Sequence, residues 1–85
     1  MIKASNKNWL EQTIAAIRNL SLDGRELDMQ SLLIVDLHID SLEMLELVTA
    51  VELYTQLPLA DKIWSTWQRL QDVLDYLNQT VPYSD

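Results

Sequence analysis

Asp40, Ser41, Glu43 and Glu46 fall within seven residues near mid-chain, and this is where the sequence gathers groups able to do chemistry. Asp40 can cap a helix that begins at Ser41, and Glu43, three residues later, completes a capping box. Ser41 then follows an exposed loop, where a modifying enzyme can reach its hydroxyl. A catalytic triad of Ser41, His38 and an aspartate does not follow. Three residues of spacing at a loop–helix junction do not build an oriented base and an oxyanion hole. The chain has no cysteine, hence no thiolate nucleophile, disulfide or thiolate metal site. Any thioester chemistry needs an imported thiol. With one histidine, no glycine-rich phosphate loop and no spaced metal-ligand cluster, enzymatic catalysis is the weakest functional class.

The elements that must position this cluster are helical. One glycine and two prolines in 85 residues, without alternating apolar and polar runs, predict an all-α fold. The first helix is expected from Asn8 to about Leu20, with Asn8 and Glu11 as a capping box. Leu10, Ile14 and Ile17 face inward, Trp9, Thr13 and Ala16 lie alongside, and Glu11, Gln12 and Arg18 stay wet. Residues 21–30, with Gly24 and the charged Asp23, Arg25, Glu26 and Asp28, open a long connection. The apolar run Leu32-Leu33-Ile34-Val35 has no evident strand partner and reads as a loop tucked onto the helices.

A second helix is expected from Ser41 to about Tyr54, burying Leu42, Leu45, Val48 and Val51 with Met44 and Leu47 beside them. Pro58 ends any continuation. Asp61-Lys62-Ile63-Trp64 forms a short turn, and a last helix runs from about Gln68 to Asn78 with Leu70, Val73, Leu74 and Leu77 inward. Trp64 and Trp67, three apart, share a face that either packs the core or shapes a cavity for cargo. The whole is a small bundle of three to four helices with a long first loop. We read residues 1–85 as one domain, structured over about 8–78 between flexible tails.

Composition narrows the partners. Six Lys and Arg against 13 Asp and Glu leave a net charge of −7. Nucleic acid is therefore not an expected partner, since its binding rests on basic side chains. Acidity suits partners with basic surfaces. No uncharged apolar stretch approaches the roughly 20 residues that span a bilayer. The first eight residues lack a signal-peptide core, so the expectation is a cytoplasmic monomer without a membrane role.

The stretch Asp36-Leu37-His38-Ile39-Asp40-Ser41-Leu42-Glu43-Met44-Leu45-Glu46-Leu47-Val48-Thr49-Ala50-Val51-Glu52 resembles the attachment segment of acyl carrier proteins. That segment is typically D-L-G-x-D-S-L-(D/E)-x-(V/L)-E-L-V, and the match is ungapped. Leu70-Gln71-Asp72-Val73-Leu74-Asp75-Tyr76-Leu77 is similar to the family's closing helix. The resemblance covers roughly residues 9 to 78. It departs at His38, where glycine is usual, and at Leu53, commonly acidic. The segment after Glu52 is shorter and less acidic than in fatty-acid carriers.

The resemblance implies a bundle of acyl-carrier type and a phosphopantetheine arm on Ser41, moved there from coenzyme A by a phosphopantetheinyl transferase. Asp40 is the motif's neighbouring acid. The arm's thiol would carry acyl intermediates as thioesters through fatty-acid, polyketide or related secondary-metabolite biosynthesis. Asp36, Glu43, Met44, Glu46 and Glu52 would dock acyl-loading, ketosynthase or other enzymes bearing basic patches. The alternatives are an aminoacyl or peptidyl carrier and an unmodified helical interaction module.

Overall fold

The computed structural model describes residues 5–22, 24 and 26–81. Four helices follow one another: α1 (Asn6–Arg18), α2 (Ser41–Thr55), α3 (Asp61–Trp64) and α4 (Leu70–Thr80). Asp23 and Arg25 of the charged run, and the tail from Pro82, lie outside the described residues.

α1 starts two residues before the position its capping pattern predicts. The cap is Ser5, whose Oγ accepts the Asn8 N–H at 3.0 Å. Glu11 is thereby released from the expected box and turns inward. It is 6% exposed, accepts the Leu27 N–H at 2.8 Å and pairs with Lys7 at 3.6 Å. A buried carboxylate is tolerable when hydrogen-bonded and neutralised in this way. Its unseen partner was a backbone N–H sixteen residues away, so no local pattern could show that Glu11 would not stay wet. Lys7 also holds Glu26; that hydrogen bond raises the Lys7 pKa and lowers that of Glu26. Ala16, placed beside the apolar face in the sequence reading, is exposed.

Leu10 and Ile14 of α1 meet Leu47, Val48 and Val51 of α2 and Leu70, Val73, Leu74 and Leu77 of α4 in one core. At its edge Trp9 stacks on Tyr54, with ring centroids 4.1 Å apart. The Tyr54 hydroxyl donates to Asn6 Oδ1 at 2.8 Å, while Asn6 Nδ2 donates to Asn78 Oδ1 and the Val81 carbonyl, each at 2.9 Å. This network joins the start of α1 to the ends of α2 and α4. Every buried polar atom in it has a partner, as burial requires.

The sequence placed Leu42 and Leu45 in the buried stripe of α2, and the structure corrects this. They are 73% and 51% exposed, while Leu47 and Val51 are fully buried. Apolar residues surround this helix, so periodicity alone does not fix which face turns inward. Packing against α1 and α4 selects Leu47, Val48 and Val51.

The apolar run of the long loop divides similarly. Leu33 and Ile39 are buried, whereas Ile34 and Val35 face outward. The loop's backbone groups find partners in the approach to α4. Leu33 N–H donates to the Gln68 carbonyl at 2.8 Å, Leu70 N–H to Ser31 at 3.1 Å, and Gln71 N–H to Met29 at 2.8 Å. A single antiparallel bridge, Leu32 with Arg69, results. α4 itself begins two residues later than expected and includes Thr80, which the sequence reading assigned to a frayed tail. The Asp72 carboxylate caps it by accepting the Gln68 and Arg69 N–H groups at 2.8 and 3.0 Å. These bonds hold the Asp72 pKa below its usual value.

Candidate functional site

Ser41 is the first residue of α2 and is exposed. Its placement follows from the capping box the sequence indicates. Asp40 Oδ1 accepts the Glu43 N–H at 2.8 Å, and Glu43 Oε1 accepts the Asp40 N–H at 3.1 Å. The other Glu43 oxygen pairs with Arg18 at 2.6 Å, fastening the end of α1 to the start of α2. A cap made by Asp40 leaves the Ser41 hydroxyl free of structural duty. The first N–H groups of α2 have no intrahelical acceptors, and with the helix dipole they favour an anionic group at this end.

The loop reaches Asp40 through a left-handed residue, His38, with φ 59°. Glycine takes this conformation freely, whereas a side chain is strained by it. The loop thus keeps a glycine-like backbone even with histidine in the position. His38→Gly is expected to stabilise the fold by about 0.5–1 kcal/mol, a figure that allows for glycine's larger unfolded-state entropy. Urea unfolding measures it, and a destabilised variant would show that His38 makes contacts outweighing its strain.

Beside Ser41 lies an open cavity of about 540 Å³ between α2 and the α3 region. Asp40 and Ser41 stand at its wall with Ile34, Met44, Trp64 and Trp67. Trp67 is buried and also packs on Tyr76, with ring centroids 5.8 Å apart, so it serves both core and cavity. Trp64 is half-buried, and its Nε1 donates to Asp61 at 3.1 Å. Among the described residues no group of His, Asp and Glu could hold a metal ion, and no helix is long and apolar enough to cross a membrane.

An exposed serine at a capped helix start, beside an apolar cavity, sits in a chain whose likeness to known proteins runs through this segment. The chain is 30% identical over 66 residues to the acyl carrier protein of Phytoplasma mali (strain AT), covering 78% of this chain and 79% of that protein. It is 33% identical over 63 residues to the acyl carrier protein of Onion yellows phytoplasma (strain OY-M), covering 74% of this chain and 83% of the relative. The chain belongs to the acyl carrier protein family. No family model matches it.

In this acyl carrier protein most of the residues singled out for docking have structural partners of their own. Asp36 accepts the Leu32 N–H at 2.8 Å and braces the loop. Glu43 is half-buried in its contacts with Arg18 and Asp40. Met44 lines the cavity. Glu52 is turned to the far end of α2, where it accepts the Leu59 N–H at 2.7 Å. Glu46 is exposed, and no described residue pairs with it. Sequence reasoning overlooked Ile34 and Ile39 as cavity residues. For Ile34 the available signal was the apolar run Leu32-Leu33-Ile34-Val35, of which only Leu33 is buried in the core; Ile39 carried none.

Proposed function

We propose that this acyl carrier protein bears a phosphopantetheine arm on Ser41. The observation carrying this reading is the exposed, structurally idle hydroxyl of Ser41 at the capped start of α2, beside an apolar cavity. The chain's own groups suit the arm. Ser41 Oγ forms the new P–O bond, its proton leaves, and adenosine bisphosphate departs from coenzyme A. The transferase supplies the catalytic groups. The first N–H groups of α2 and the helix dipole favour the resulting anionic phosphodiester, while Asp40 keeps the helix start in place.

The arm's terminal thiol supplies what a chain without cysteine lacks, a sulfur on which an acyl group can ride as a thioester. The protein acts as carrier and its partners act as catalysts. The cavity walled by Met44, Trp64 and Trp67 offers apolar space to cargo tethered nearby. Partners that load, extend or unload such cargo in fatty-acid, polyketide or related biosynthesis fit this reading, in a cytoplasmic setting.

The test is intact-protein mass after incubation with coenzyme A, Mg²⁺ and a broad-specificity phosphopantetheinyl transferase. The expected result is a gain of one phosphopantetheine, mapped by fragmentation to the peptide containing Ser41. A folded sample that gains nothing, beside a control carrier that does, would transfer the assignment to an unmodified interaction module.

A further inference from the structure

We infer that Arg18 is a positioning residue for the modification of Ser41, acting through Glu43 and Asp40 to hold the start of α2 in the form the transferase accepts. The inference rests on the carrier reading above and gives a role in it to a residue of α1. The first turn of α2 buries little of its own: Asp40 and Ser41 are exposed, and Leu42 is 73% exposed. It also follows a loop residue, His38, in the left-handed region at φ 59°. A helix start with so few apolar contacts opens at low free-energy cost unless polar tethers hold it. The tether here runs through Glu43. One of its oxygens accepts the Asp40 N–H at 3.1 Å, and the other accepts from Arg18 Nη1 at 2.6 Å. The Arg18 side chain is 29% exposed and that of Glu43 15%.

Arg18 can serve as the anchor because its own backbone is fixed. α1 ends in a left-handed cap, Asn19 at φ 54°, whose N–H donates to the Ala15 and Ala16 carbonyls. The Leu20 N–H donates to Ala15 as well, at 2.8 Å. A cation in the last turn of α1 also meets the negative end of that helix's dipole. Lys7 is engaged with Glu11 and Glu26, and Arg69 with the Gln30 carbonyl. Arg18 is thus the described cation that reaches the start of α2. Through Glu43 it fixes the N–H of Asp40, the residue directly before Ser41. Without Arg18 a largely buried carboxylate loses its cation, and such a group turns to water rather than stay unpaired. Turning outward, it would release the Asp40 N–H, and the junction would adopt the form that presents Ser41 less often. An enzyme that takes one form of a segment binds more weakly in proportion as that form is depopulated.

Steady-state modification by the transferase, paired with amide hydrogen exchange, tests this on the parent, Arg18→Gln, Arg18→Lys, Glu43→Gln and the double variant Arg18→Gln with Glu43→Gln. Arg18→Gln is expected to raise KM for the carrier roughly threefold, with kcat within about twofold. Arg18→Lys keeps the charge without the guanidinium fork and should recover most of that loss. Glu43→Gln can still accept the Asp40 N–H. On that background Arg18→Gln should change KM by less than about 1.5-fold, because its route is already cut. The Glu43 and Met44 amides both donate to Asp40 at 2.8 Å. Their exchange should quicken about fivefold in Arg18→Gln, while the Leu47 and Val51 amides keep the parent's protection. Lys62→Gln makes the same change in net charge at an exposed site and should leave KM near the parent's. An unchanged KM for Arg18→Gln would overturn the role while the parent is still modified. An equal rise in KM on both backgrounds would overturn it too, since Arg18 would then touch the transferase itself. Exchange quickened throughout the core would reduce Arg18 to a stabilising residue. No modification of the parent at all would remove the carrier reading and this inference with it.

Discussion

Ser41→Ala is expected to accept no phosphopantetheine while unfolding at essentially the same urea concentration as the parent. The two halves of this result come from the same geometry. Ser41 stands at the first position of α2, exposed, while the cap is made by the Asp40 carboxylate through the Glu43 N–H. Removing the Ser41 hydroxyl therefore leaves no buried group orphaned. Alanine is the best helix former and carries no side-chain entropy cost, so stability should move by less than about 0.5 kcal/mol. The chemistry has no such tolerance, because without Oγ no phosphodiester can form. Mass spectrometry and urea unfolding on the same sample separate the outcomes. Modification of the alanine variant would move the arm to another residue. A large loss of stability would show the hydroxyl holding the loop or the helix start.

Much of this site could be read in the sequence because its causes are local. Asp40, Ser41 and Glu43 lie within one turn, and the capping box they spell is the one the structure forms. The four-residue α3 also falls where Asp61-Lys62-Ile63-Trp64 predicts it. Features set by distant partners were hidden. Glu11 depends on the Leu27 N–H, and the Asn6–Tyr54–Asn78 network spans residues up to 72 positions apart. The register of the long loop is fixed by Gln68, Ser31 and Met29 carbonyls that no periodicity reveals. Glu43 was recognised as a capping residue, but its contact with Arg18 needed the folded approach of α1 to α2.

The orientation of α2 was the least legible feature, and it yields the largest expected effect on stability. Leu42, Leu45, Leu47, Val48, Val51 and Leu53 surround the helix, so sequence alone allows several inward faces. The structure makes Leu47 fully buried and Leu42 73% exposed. Leu47→Ala should therefore leave a cavity where α1, α2 and α4 meet and cost about 3–4 kcal/mol. For a chain of this length total stability is roughly 5–10 kcal/mol, so the loss would remove a large share of it and bring unfolding to much lower urea. Leu42→Ala removes the same atoms from a side chain largely in water and should cost less than about 0.5 kcal/mol. The helix propensity change is the same in both variants, so their difference isolates burial. Equal costs would mean that α2 is rotated about its axis from the orientation described, withdrawing Leu42 from the outer face. A wide gap would establish that Leu42, as apolar as its buried neighbour Leu47, contributes little to folding because packing against α1 and α4 turns it outward.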